Sequence, residues 1–264
     1  MTAETDTRGS ARIAVLIDCD NVSAKHAGDI LEELAKYGTP TVKRAYGDWT
    51  TSQLSGWKSE LHRNAIQPVQ QFAYTKGKNS SDSALIIDAM DLLWQGNVEA
   101  FALVSSDSDF TRLATRLRES GRRVYGLGLR KTPESLRRAV DQFIFLEVLG
   151  EESAADEEPT PSATSGADAP DDGQSSSINL QSALTKAINA TSNDEGWASL
   201  GQVGQHLGRA HADFDPRDFG HQKLSSLVAE QSYLETRTAG PLTEVRLRAR
   251  RSTRRATGRR NGSG

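Results

Sequence analysis

Phe101-Ala-Leu-Val-Ser-Ser-Asp107-Ser-Asp109-Phe110 decides the fold of this chain. The stretch is a short apolar run that breaks into two aspartates one residue apart. With turn-forming serines at its end and a helical pattern after it, it reads as a parallel strand buried on both faces. In open α/β sheets ligands bind just beyond the carboxyl ends of such strands. Asp107 and Asp109 therefore stand at the edge where chemistry is expected.

Working outward, residues 12–17 form a first strand that ends in Asp18-Cys19-Asp20-Asn21. Ser23 is a candidate N-cap for a helix through about Tyr37, with Ile30, Leu31 and Leu34 at helical spacing and Gly38 as its stop. Residues 41–46 read as a second strand, 51–64 as a helix, and 66–72 as a third strand that Pro68 assigns to the sheet edge. A polar loop, 75–81, leads into a strongly apolar helix at 82–94. After the strand at 101–104 come a helix at 108–119 stopped by Gly121, a strand at 123–127, a short helix from Pro133, and a closing stretch at 143–146. Strands alternating with helices predict an α/β fold with right-handed crossovers, a mostly parallel sheet and helices on both faces. The first strand is expected to lie centrally, beside the Phe101 strand.

The overall charge of −3 from 32 basic and 35 acidic residues conceals a segregation. Residues 151–177 carry eight acids and no Lys or Arg, whereas eight arginines lie between Arg246 and Arg260. The acidic stretch has almost no large apolar side chains, so burial cannot offset its ordering entropy. The expected organisation is a disordered N-terminus over 1–10, an α/β domain over 11–148, an acidic disordered linker over 149–177, a small second domain over 178–248 and an Arg-rich disordered tail over 249–264. The tail is expected to add salt-dependent affinity for nucleic acid, with loose pairing to the acidic linker as its competitor. The single Cys19 excludes an internal disulfide framework and suits a reducing cytoplasm. No stretch approaches 18 consecutive apolar residues, and residues 1–10 lack the apolar core of a signal peptide, so a cytoplasmic protein without membrane association is expected.

On a helical wheel of about 100° per residue, Leu85, Ile86, Met90, Leu92, Leu93 and Trp94 form one broad stripe, and Asp82 falls in its middle at the first turn. That helix start belongs to the carboxyl edge of the sheet. Asp18, Asp82, Asp107 and Asp109 thus come from separate stretches and are expected to meet. An Asp after a strand also serves as a turn former or N-cap; the coincidence of several at one edge favours a site. Four carboxylates in one crevice resist ionisation unless a cation offsets their charge. Hard oxygen ligands favour Mg²⁺ or Mn²⁺, which can activate water and clamp a phosphodiester. Asp88 and Asp91 lie off the stripe and read as solvated or structural. Asp20 alternates away from Asp18 and ranks below Asn21, which is placed to orient substrate or a metal-bound water.

Ile-Asp18-Cys-Asp-Asn21, Lys78-Asn-Ser-Ser-Asp82-Ser-Ala-Leu-Ile-Ile-Asp88 and Leu-Val-Ser-Ser-Asp107-Ser-Asp109-Phe110 together resemble the NYN domain of the LabA-like group, a branch of the PIN-like nucleases. The resemblance runs over roughly residues 11–148, with three motifs in order. It implies a PIN-like Rossmannoid fold and metal-dependent RNA cleavage. Asp18, Asp82, Asp107 and Asp109 match the metal-binding acids, and Asn21 matches the asparagine after the first strand. Ser106 stands where the family often has Gly.

In the second domain, Leu180, Leu184, Ala187 and Ile188 share one helix face, Leu200, Val203 and Leu207 a second, and Phe219, Leu224, Leu227 and Val228 a third. Residues 233–236 and 242–248 read as a hairpin, and the whole as a winged helix. Gly196-Trp197-Ala-Ser-Leu-Gly-Gln-Val-Gly and Phe214-Asp-Pro-Arg-Asp-Phe-Gly220-His-Gln-Lys-Leu resemble the OST-HTH/LOTUS domain, which implies RNA or protein-partner binding. Arg217, His221 and Lys223 are candidates to face phosphates from the third helix, and Trp197 reads as a core aromatic. In the first domain, Lys76 and Lys78 are the best-placed substrate cations, with Lys43, Arg44, Arg112, Arg116 and Arg130 behind them.

The leading expectation is an RNA endonuclease that hydrolyses phosphodiesters at its aspartates. The non-catalytic alternative is an RNA-binding or scaffolding regulator that keeps the acids as a fold feature. A second enzyme class is a haloacid-dehalogenase-like phosphatase, whose nucleophile motif Asp18-Cys-Asp20-Asn-Val22 also fits. That chemistry needs a Ser or Thr on the next core strand, then a Lys, then a separate acidic pair, an order this chain lacks.

Overall fold

The computed structural model describes residues 10–72, 80–149, 178–240 and 242–248. Lys76, Lys78, the acidic stretch and the Arg-rich tail lie outside the described residues.

Residues 12–147 form a six-stranded, wholly parallel sheet: β1 (Arg12–Asp18), β2 (Thr39–Gly47), β3 (Gln67–Gln70), β4 (Ala100–Val104), β5 (Arg123–Gly128) and β6 (Gln142–Phe145). The strand order is β3-β2-β1-β4-β5-β6. Ile13 to Ile17 and Phe101 are fully buried, which explains why both central strands read as unbroken apolar runs. Pro68 lies on the edge strand β3, where a missing N–H costs no ladder bond to a further neighbour. The helices are α1 (Ala27–Ala35), α2 (Trp57–Arg63), α3 (Ser80–Gln95), α4 (Thr111–Glu119) and α5 (Glu134–Ala139). Chain progression across the sheet reverses between β1 and β4. Right-handed crossovers therefore put α1 and α2 on one face and α3 to α5 on the other. That reversal opens a crevice at the carboxyl ends of β1 and β4.

The second domain contains α6 (Leu180–Thr191), α7 (Leu200–Ala210) and α8 (Leu224–Glu230), with an antiparallel sheet β7 (Ala198–Ser199), β8 (Leu234–Ala239) and β9 (Leu242–Leu247) in the order β7-β9-β8. Its core is built by Leu184, Ala187, Ile188, Val203, Leu207, Val228 and Val245. Trp197 is buried, as expected of a core aromatic, and lies beneath the guanidinium groups of Arg237 and Arg246 at 4.1 and 4.4 Å. Among the described residues no helix is long and apolar enough to cross a membrane.

Three local expectations are corrected. Trp94 is 81% exposed, and the buried face of α3 is Leu85, Ala89 and Leu92. Leu92 in the same last turn is buried; Trp94 stands two positions on, about 160° round the helix from it, and so faces the other side. The third helix of the second domain does not reach back to Phe219. Pro216–Phe219 is a separate 3-10 turn closed by Gly220 at φ 79°, a conformation that favours glycine, so α8 starts only at Leu224. Ser23 makes no side-chain cap; a 3-10 turn at Ala24–His26 precedes α1 instead.

The domains pack against one another along β6. The Phe143 N–H donates to the Ala212 carbonyl at 2.8 Å, so the second domain meets the otherwise open β6 edge of the parallel sheet at Ala212. Arg217 pairs with Glu33 of α1, Arg137 of α5 with Asp213 at 2.6 Å, and Arg130 with Asp218 at 2.6 Å.

Candidate metal centre

The crevice collects acids from three elements. β4 ends in Ser105-Ser106-Asp107, and Asp107 caps the 3-10 turn Ser108–Phe110 by accepting from the Asp109 N–H at 2.9 Å. This Asx-type cap explains the Asp-x-Asp spacing. It turns the chain sharply and brings the second carboxylate round beside the first. Asp82 comes from the first turn of α3. One ligand oxygen from each of Asp82, Asp107 and Asp109 lies within 4.8 Å of the others.

Asp18 stands outside that triad and is 1% exposed. Its Oδ2 accepts from Ser105 Oγ and from Asn21 Nδ2, both at 2.7 Å, and its Oδ1 accepts from the Asp20 N–H at 3.2 Å. Ser105 Oγ in turn accepts from the Asp107 N–H at 3.0 Å, so one hydroxyl ties the end of β1 to the end of β4. Asn21 therefore orients Asp18. Asp20 accepts from Ser81 Oγ at 2.9 Å, a contact that fastens the first turn of α3 to the loop after β1. Further along α3, Asp88 Oδ2 accepts from Arg44 Nη1 and from the Tyr46 hydroxyl, each at 2.8 Å. These two contacts hold the helix that carries Asp82, and they bear out the structural reading of Asp88.

Ser105, Ser81 and Gly128 were not singled out as site residues from sequence. The Ser-Ser before Asp107 was a signal for the first, but it read as a strand ending. Gly128 has a steric reason to be glycine. A Cβ there would lie 2.7 Å from the Ser105 carbonyl oxygen and 2.8 Å from Thr132 Oγ1, so a side chain would push β5 away from the site.

Burial is the first cause that raises the Asp82 carboxyl to about 6, followed by the charges of Asp18, Asp107, Asp109 and Asp20. Burial likewise raises Asp18, against the lowering effect of the Ser105 and Asn21 hydrogen bonds. Both shifts mark a crevice short of positive charge. Burial also pushes the Cys19 thiol up, which keeps it protonated and unsuited to metal ligation. The donor set is hard oxygen and fits a divalent cation such as Mg²⁺ or Mn²⁺.

The C-terminal candidates lie elsewhere. Arg217 is chelated by Glu33 at 2.9 and 3.0 Å and by Asp215, with Nη2 to Asp215 Oδ2 at 2.7 Å. Its guanidinium is a joint between domains. Lys223 is the N-cap residue of α8 and is exposed. His221 pairs with Glu230 at 2.6 Å. Arg112 and Arg116 lie exposed on α4, Lys43 donates to the Asn64 carbonyl, and Arg130 is held by Asp218.

The NYN domain model matches residues 12–147, and the OST-HTH/LOTUS domain model matches residues 176–241. A crystal structure of a protein of unknown function from Vibrio parahaemolyticus is 17% identical, with a TM-score of 0.45, over 55% of this chain and 96% of that one. A solution NMR structure of residues 175–257 of a protein from Chromobacterium violaceum is 37% identical, with a TM-score of 0.24, over 28% of this chain and 85% of that one. None of the curated proteins matches.

Proposed function

The chain belongs to the NYN domain family, and on that premise we propose that it is a metal-dependent ribonuclease with an OST-HTH/LOTUS module joined to it. The observation that carries the reading is the approach of Asp82, Asp107 and Asp109 within 4.8 Å at the switch point of the sheet. These three would hold one or two Mg²⁺ or Mn²⁺ ions. When bound, such an ion supplies a lowered pKa for a ligated water and offsets charge on the phosphodiester.

The chain's own residues do the rest. Asp107 orients Asp109 through its capping bond, and the Ser81–Asp20 contact sets the start of α3 so that Asp82 faces them. Asp18, held by Ser105 and Asn21, contributes the largest of the negative charges acting on Asp82 and so favours a cation there. The same burial argues against the phosphatase reading. A nucleophilic Asp18 would need an oxygen open to in-line attack on phosphorus, yet it is 1% exposed and both of its oxygens accept hydrogen bonds.

Purified protein and its Asp107→Asn variant are incubated with labelled single-stranded, structured and double-stranded RNA in Mg²⁺, Mn²⁺ or EDTA. The expected result is cleavage by the wild type in either metal and at least a 100-fold loss in the variant. Equal activity in the variant would overturn the mechanism. RNA binding without cleavage by the wild type in any metal would assign the chain to the non-catalytic class.

A further inference from the structure

Where the two domains meet, a cleft of about 1100 Å³ opens between the amino ends of β5 and β6 on one side and α7 with its following segment on the other. Arg118, Arg123 and Arg138 line one wall, Arg209 lines the other, and the half-buried Tyr37 and Phe214 contribute aromatic surface, one from each domain. A second cavity of about 530 Å³ shares Arg118 and Arg123 and adds Arg122.

The charge in this region is not balanced internally. Its carboxylates already have cations: Asp141 pairs with Arg118 at 3.0 Å, Glu134 with Arg138, Asp213 with Arg137 at 2.6 Å, and Glu119 with Arg116 at 3.8 Å. Among the described residues, Arg122 and Arg209 have no ion-pair partner, and Arg122 Nε is buried without a hydrogen bond, while Arg123 hydrogen-bonds the Tyr125 side chain and feels the charge of Asp141. The region therefore holds a surplus of guanidinium groups over an aromatic surface, contributed by both domains. Phosphates spaced along a chain with unpaired bases satisfy both features. A duplex hides its base faces in the stack.

α4 connects this region to the metal centre. The helix begins directly after the turn that carries Asp109 and ends at Glu119, which with Arg122 three residues on lines the smaller cavity. Arg112 and Arg116, one turn apart, are exposed along it. The aspartates stand at the carboxyl edge of the sheet and the cleft at the amino edge. The six residues of β5, at about 3.3 Å each, separate them by roughly 20 Å.

We propose that the interdomain cleft holds a single-stranded segment of the RNA whose scissile bond lies at the aspartates, with α4 as the track between the two. The proposal rests on the ribonuclease reading above. It makes cleavage depend on length, because at about 3.4 Å per stacked nucleotide the span corresponds to roughly six nucleotides.

The test uses the full chain and a 5′-fluorescein single-stranded RNA 12-mer. Fluorescence anisotropy in EDTA compares wild type with an Arg122→Glu, Arg209→Glu double variant whose fold is checked by circular dichroism. The expected result is at least tenfold weaker binding by the variant and a salt slope reduced by about two. In Mn²⁺ the wild type should cut the 12-mer at least tenfold faster than a 4-mer, and that ratio should collapse in the variant. Variant affinity within twofold of wild type overturns the cleft while leaving the nuclease reading intact. Wild-type binding lost in the variant, with no cleavage by either protein, supports the cleft and overturns the nuclease reading. A duplex of the same sequence competing as well as the single strand, or inorganic polyphosphate doing so, overturns the single-stranded assignment.

Discussion

Ser105 Oγ donates to Asp18 Oδ2 at 2.7 Å and accepts from the Asp107 N–H at 3.0 Å, so a single hydroxyl joins the two strands that define the crevice. Ser105 is 2% exposed, and water cannot replace it without rearrangement. Replacing Ser105 by Ala leaves the buried Asp18 with one donor fewer and the Asp107 amide without its acceptor. The expected loss is about 1–3 kcal/mol in chemical denaturation at pH 7, together with weaker Mn²⁺ binding. A loss under about 0.5 kcal/mol with unchanged metal affinity would show that the bridge is dispensable.

Asp82 provides a pH signature. Its carboxyl is raised in the folded chain from 3.8 to about 6, so the folded state binds the extra proton between those values. The stability this group contributes is full below about pH 4 and is lost as pH rises through 6. In EDTA, the melting temperature of Asp82→Asn minus that of wild type should therefore increase between pH 4 and pH 7. A cation competes with the same proton. Mn²⁺ affinity measured by calorimetry should fall by up to about tenfold per pH unit below 6. A flat affinity from pH 5 to 7 would remove Asp82 from the ligand set.

Arg217→Ala tests the joint between domains. Glu33 is 4% exposed, and its carboxyl is held below the ordinary range by Arg217 and Lys36 despite the opposing effect of burial. Loss of Arg217 leaves Lys36, which is half exposed, and the Tyr37 hydroxyl, which donates to Glu33 at 3.3 Å. Breaking a buried pair costs about 3–5 kcal/mol, and the remaining lysine places this one near 3. The readouts are hydrogen exchange at the Phe143 amide, which should lose protection as its bond to Ala212 opens, and an increased radius of gyration in small-angle scattering. Retained protection at Phe143 would mean that the docking does not depend on this pair.

The anchor of α3 is tested by Tyr46→Phe. Tyr46 is fully buried, and its hydroxyl donates to Asp88, while Arg44 remains as the second partner. A stability loss of about 1 kcal/mol is expected. Because α3 carries Asp82, Mn²⁺ affinity should also drop, by less than about tenfold, since the contact acts at a distance from the ligands. A stability loss with unchanged metal affinity would confine Tyr46 and Asp88 to packing.

Much of the fold was legible because its signals are local. Fully buried parallel strands read as short apolar runs, and Pro68 marked an edge strand because a proline there breaks no ladder. Asp107 and Asp109 were legible because a strand that ends in acids places them at the sheet's ligand edge. Trp94 departs from the expected stripe because, at about 100° per residue, it faces the side of α3 opposite to the buried Leu85 and Leu92. Arg217 read as a phosphate contact because an arginine on a short turn looks free until its partner is known, and Glu33 lies 184 positions away.

The sequence by itself determined the alternation of strands and helices, the central place of the first strand and the identity of the acids at the carboxyl edge. Each of these follows from residue patterns within about fifteen positions. Only the tertiary structure decided that Asp82, Asp107 and Asp109 come within reach of one cation while Asp18 is hydrogen-bonded by Ser105 and Asn21, and that the second domain meets β6 with an arginine-lined cleft beside it. Those outcomes depend on which charges and hydroxyls from distant stretches reach hydrogen-bonding distance, and that is a property of packing.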